Sequence, residues 1–383
     1  MIFLLLLSLI LYFNLNKLFS LRTDQLVNQL QDQENAFYYP AKHPEFTTVS
    51  KNWGGYQVST NKANLDQRET KNNQLNISKS ALTSYKWMHL GLPQLYLEND
   101  NSSLQISGQT YLEGAVHVPK GKVLTTSVSS RIYEGPELSG LEVNSSLNKL
   151  PAHPLENLSF IEAQDFSQDS IIQFKPDINY SNSFNKNGAS IVSDITIHLY
   201  ENNINGNVRI LSKSKIVIHQ NAVLKDILLI APVIVFKENF KGTVHAIARD
   251  SIIVSKNVKL SFPSSITLTN DSGSSPLIKI EEKASIEGNI NQFYYQEEKT
   301  NFSQLFIATD ATIKGVVYNR CNTTLKGTVD GSLFTKSLLV YENGRIYRNF
   351  IIDGKLIKTN WLDFISKNND AQNIDSQPIK WLY

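Results

Sequence analysis

The sequence predicts a mainly β chain wound as a single-stranded parallel β-helix, and three observations predict it. An aliphatic or aromatic residue, three mostly polar residues, then a small or apolar one recur as a phrase within residues 216–346: Ile218 to Ala222, Phe236 to Phe240, Val254 to Val258, Ile280 to Ala284, Ile307 to Ala311 and Val340 to Gly344. Its first three anchors are 18 residues apart, and the later gaps of 26, 27 and 33 fit loops inserted at one corner. A second phrase, apolar-x-Gly-x-apolar, returns at Ile204 to Val208, Phe240 to Val244, Ile286 to Ile290, Ile313 to Val317 and Leu325 to Val329. Fixed-period self-similarity marks a chain whose repeats bury their faces only against their neighbours.

The β-branched runs Ile216 to Ile218, Val233 to Phe236, Ile252 to Val254 and Leu338 to Val340 are short and end at polar or Gly-containing corners, which reads as strand. Eighteen residues accommodate three strands of about five residues with tight corners, each coil about 4.8 Å above the last. Gly206, Gly242, Gly288, Gly315 and Gly327 suit corners with positive φ or close backbone approach, and Asp226 stands at the equivalent place of its own coil. An isolated coil cannot offset its ordering entropy, so both ends of the stack require a cap or a partner.

The phrases Ala284-Ser-Ile286-Glu-Gly288-Asn-Ile290 and Ala311-Thr-Ile313-Lys-Gly315-Val-Val317 resemble those of bactofilins, bacterial polymer-forming scaffold proteins. The resemblance covers about residues 204–346; it implies right-handed winding, a structural role and a capacity for self-association. The chain departs from that pattern at Leu268 to Pro276 and Phe293 to Ser303, where insertions break the rhythm.

The remaining segments divide as follows. Residues 1–22 contain an almost wholly apolar run, 2–13, and predict a single membrane anchor. Residues 23–40 predict an amphipathic stalk helix, its apolar side beginning in the anchor and formed by Leu18, Leu21, Leu26, Val27 and Leu30. This pairing resembles the stalk of pilin-like proteins without their cleavage site. Residues 41–190 predict an N-terminal β-rich region, with Trp53-Gly54-Gly55-Tyr56 as a turn and Tyr111 to Val116 as an early coil. That coil is separated from the stack by a Ser-, Asn- and Pro-rich insertion, 122–190, carrying a short helix over Leu155 to Phe166. The parallel β-helix occupies 191–355. Residues 356–383 form a cap or tail whose Trp361, Phe364, Ile365 and terminal aromatics are placed to cover the open end.

A net charge of +2 offers no electrostatic footprint for nucleic acid, and a single cysteine, Cys321, excludes an intramolecular disulfide or a Cys-based metal cluster. Phosphate-cradle, zincin and nucleophile-elbow motifs are absent from the sequence. The seven histidines are dispersed. One constellation stands out as a surface-groove candidate: His219, Asp226, His245, Arg249 and Asp250, placed to line adjacent coils. No catalytic, cofactor or metal role is assigned to it. The expected function is a membrane-anchored structural or surface-binding scaffold, non-enzymatic, with its bulk outside the cytoplasm and envelope proteins or glycans as partners. The alternatives are an envelope polysaccharide-binding or -cleaving enzyme and a pilin-like subunit.

Overall fold

The computed structural model describes residues 2–63, 78–85, 91–160, 168–269, 271, 276–294, 300–358 and 376–383. The fold is mainly β, with 53% of residues in strands and one long helix at the N-terminus.

Strands of the principal sheet pair in parallel and in register with strands one circuit further along the chain. These pairings fall into three parallel ladders, called walls below. On the third wall, Leu199 pairs with Ile218, Ile218 with Phe236, Phe236 with Val254, Val254 with Ile280, Ile280 with Ile307, and Ile307 with Leu325. All seven side chains are buried. The column expected through Ile218, Phe236 and Val254 is therefore present. On the second wall a comparable column runs through Ile191, Ile210, Leu229, Ala246, Ile266, Ile290, Val317 and Leu333. The walls enclose one continuous aliphatic interior.

The polar triplet of the first phrase forms the corner after the third wall, and at four of these corners, though not at Asn221, its last residue takes positive φ: Asn239, Asn257, Lys283 and Asp310 lie between +58° and +64°. The phrase at Val340 differs. Val340 pairs antiparallel with Tyr347, so Val340 to Gly344 leads into a hairpin and not into another corner of the stack. Gly288, Gly315 and Gly331 stack in register at the entry to the second wall, with φ from +138° to +145°. A Cβ at Gly315 would run into the carbonyl oxygen of Gly288 in the preceding circuit. Backbone approach, as well as turn conformation, demands glycine in this column.

The two ends of the stack are built differently from the sequence expectation. After Lys355–Ile357 the chain leaves the principal sheet, and the next stretch of second wall comes from Leu95–Leu97, which pairs with Leu333, Phe334 and Thr335. Leu104–Ser107 then pairs with Phe350–Ile352, Tyr111 and Leu112 pair with Lys355 and Leu356, and Ala115–Val118 and Glu142–Ser145 continue the second wall. The segment expected as an early coil thus closes the far end, where the open edge of Thr328–Glu342 requires a hydrogen-bonding partner. The division expected at 190/191 is not a break either, since Ser170–Gln173 pairs with Ala189 to Val192. The region expected as an insertion contains strands at both ends of the stack and a return segment between them. End circuits carry the exposed polar residues that disguise them. Within the return segment, Leu155, Leu158 and Phe160 are buried in a turn-rich stretch that takes the first half of the expected helix; residues 161–166 lie outside the described residues.

The outer face of the second wall is covered. Strands Phe46–Trp53, Tyr56–Ala63, Lys79–Tyr85 and Ser376–Leu382 form an antiparallel sheet in that order. Its Trp53, Tyr56, Val58 and Leu82 join a second core with Leu228, Ile230, Ile247, Tyr318 and Phe334 of the wall. The C-terminal strand therefore belongs to this lateral cover and not to an end cap; Trp361, Phe364 and Ile365 lie outside the described residues.

The helix runs unbroken over Ile2–Tyr38. Its last turns dock on the cover sheet through Gln33, Ala36 and Phe37, with Phe37 edge-on to Trp381 at 5.4 Å. Asn61 Nδ2 donates to the Gln33 carbonyl at 3.0 Å, and Lys79 pairs with Glu34. Leu18, Leu21 and Val27, expected as the packing stripe of a stalk, stay exposed. Among the described residues no helix is long and apolar enough to cross a membrane.

Candidate functional site

The five residues singled out from the sequence do not form one groove. The circuit distributes them over three corners and a covered face, because residues close in sequence here are separated by changes of wall. His219 follows the third wall; Asp226 marks the passage from first to second wall at φ +60°; Arg249 and Asp250 lie between the second and third strand segments of their circuit. Arg249 and Asp250 pair with each other through two contacts of 3.0 and 3.1 Å, and the guanidinium lies 5.8 Å from the Phe160 ring.

His245 lies on the second wall, buried under the tip of the covering sheet. That tip is the Trp53-Gly54-Gly55-Tyr56 hairpin. Gly55 N–H donates to Ser265 Oγ at 2.8 Å, and Ser265 Oγ stands 2.9 Å from His245 Nδ1. Nε2 finds no hydrogen-bond partner among the described residues. Burial, reinforced by Lys380, pushes the imidazole down to about 3, so it is neutral at pH 7. Tyr56 meets it edge-on at 5.8 Å. Asp226 sits beside the same tip: its carbonyl accepts from Trp53 Nε1 at 3.2 Å and its carboxylate from Lys380 Nζ at 2.6 Å. His245 and Asp226 are thus the seat on which the cover is locked.

His219 belongs to an exposed aromatic stack. Its ring lies 4.0 Å from that of Tyr200 and its Nε2 is 3.2 Å from His198 Nδ1. Burial, then His198 and Lys237, lower its basicity. Beside it a corner depression of about 550 Å³ is lined by Glu201, Gln220, Asn221 and Glu238. Among the described residues no group of three or more His, Cys, Asp or Glu is placed to hold a metal ion.

A cleft that sequence reasoning missed opens between the edge of the covering sheet and the beginning of the stack. Its volume is about 450 Å³. On its floor, Arg209 and Asp169 form an ion pair with both side chains buried. Ser190 Oγ also donates to Asp169 at 2.6 Å. The Arg209 guanidinium lies 5.2 Å from the Trp53 ring, and Lys51 Nζ 5.5 Å from the same ring. Lys51 donates to Asn207 Oδ1 at 3.3 Å. Burial, followed by the Arg209 charge and partly offset by Asp169, lowers the Lys51 ammonium to about 8. Residues 51, 169 and 209 come from three distant segments, so no local spacing could have signalled them.

No protein-family model, curated protein or solved structure matches the chain.

Proposed function

We propose that this protein is a membrane-tethered, non-catalytic scaffold whose three-walled stack is a right-handed parallel β-helix of bactofilin-like character. The observation that carries the tether is the uneven packing of the N-terminal helix. Its last turns are docked, whereas Phe3, Leu6, Leu7, Leu9, Ile10, Leu11, Tyr12, Phe13, Leu15, Leu18, Phe19 and Leu21 are all about half exposed or more, on every side of the helix. Burial of one such side chain is worth about 1.5–3 kcal/mol, so this run strongly favours an apolar environment. A bilayer supplies that environment, and the docked end holds the folded body close to it.

The non-catalytic reading is supported by what the polar residues near the second wall do. Asp226, His245, Arg249 and Asp250 are engaged in packing and in contacts with the covering sheet or with one another. A scaffold role needs a rigid body and a large lateral surface, and the stack supplies both.

Fractionation of cells producing the full chain and a chain lacking residues 2–22 tests the reading. The full chain is expected in a carbonate-resistant membrane fraction. The shortened chain is expected in the soluble fraction with an unchanged β-type circular dichroism spectrum. A full chain that washes off membranes would overturn the tether.

A further inference from the structure

We infer that the cleft between the covering sheet and the first circuits of the stack is a binding site for a carboxylated sugar of one or two rings. Its lining holds four cationic side chains, Lys51, Lys62, Lys186 and Arg209, and one carboxylate, Asp169 (4 − 1 = +3). That carboxylate is already taken up by Arg209 and Ser190. Among the described residues, none of the three lysines makes an ion pair. Among the described residues the lining thus keeps a positive excess in a concave site, which favours an anion.

The rest of the lining narrows the class. Small-ligand pockets run from about 300 to 1,000 Å³, and the cleft falls in that range. A bare inorganic anion would occupy a small part of it. Asn52 and Asn187 offer amide groups suited to hydroxyls, while Val49 supplies an exposed apolar side chain suited to the C–H face of a pyranose. The Arg209–Asp169 pair, held from below by Ser190 and Trp53, gives the site a rigid floor. Binding is reversible and requires no covalent step. The inference does not depend on the membrane tether.

Isothermal titration of the full chain in detergent micelles tests it, using a uronic acid disaccharide, its neutral counterpart and inorganic phosphate. The uronide is expected to bind saturably, more tightly than the other two, and to weaken as salt rises. Lys62→Met and Lys186→Met lie at the exposed rim and leave the core untouched. Together they are expected to weaken uronide binding about tenfold or more. Lys51→Met is expected to act in the same direction, with its thermal melt reporting any loss of fold. Absence of saturable uronide binding, equal affinity for the neutral sugar or for phosphate, or indifference to the rim substitutions would each overturn the proposal.

Discussion

At the scale of the residue, the covering sheet is held by positions with almost no freedom. Gly54 has φ +66° in the hairpin tip, and a Cβ there would run into Ser265 Oγ and lie 2.7 Å from His245 Cβ. Gly54→Ala is expected to destabilise the fold by about 2–3 kcal/mol, from backbone strain and overpacking together. Gly344 is the control: its φ is +74°, but a Cβ added there would have nothing within 4 Å, so Gly344→Ala incurs strain alone, about 1 kcal/mol. Equal shifts in the two thermal melts would contradict this account. Lys283 is the opposite case, a residue with φ +58° where the equivalent corners carry Asn239, Asn257 and Asp310. Lys283→Asn is expected to stabilise by about 0.5–1 kcal/mol, read from the denaturant midpoint.

His245 also makes stability depend on pH. It and His153 are both pushed by burial to about 3, against an ordinary value of 6.5. Between those limits the unfolded chain binds more protons than the folded one, so stability rises with pH. The stability these groups contribute is complete above pH 6.5 and is lost as pH falls toward 3. Denaturant titrations of the wild type and His245→Asn across that window check the assignment. The variant is expected to show the shallower acid loss; parallel profiles would rule out His245 as a contributor.

At the scale of the element, the regular strands owe their positions to the columns they share. Phe236 is fully buried, lies between Ile218 and Val254 in the ladder, and stacks on Phe240 at 5.7 Å. Phe236→Ala is expected to cost about 3–5 kcal/mol by equilibrium unfolding. These columns were legible because their period is short and each phrase carries its own anchor and corner. The cover was not. The pairing of Lys79–Tyr85 with Ser376–Leu382 joins segments from opposite ends of the chain, and neither has a local feature naming the other. The groove expected from His219, Asp226, His245, Arg249 and Asp250 failed for a related reason. Proximity along the chain says little when two residues lie on different walls.

At the scale of the whole molecule, the stack is closed by chain segments from outside its sequential order. Leu95–Leu97 completes the second wall beyond Leu333 to Thr335, and the return segment then carries the chain back to Ser170–Gln173. Deleting residues 91–145 is expected to expose the open parallel edge of Thr328–Glu342 and convert the protein to oligomers or aggregates on size-exclusion chromatography. A variant that remained monodisperse would show that the edge needs no partner. The charged cleft belongs to this scale as well, since it exists only where the covering sheet meets the start of the stack.

The β character, the aliphatic columns and the corners between walls are written in the order of the residues, because each rests on contacts between neighbouring circuits of similar length. Folding alone settled what covers the second wall, which segments close the far end, and where cationic side chains gather. Those outcomes rest on burying an otherwise exposed face and pairing an otherwise open edge. Such requirements are physical and definite, but many distant segments of a chain can meet them, and only the folded arrangement selects among them.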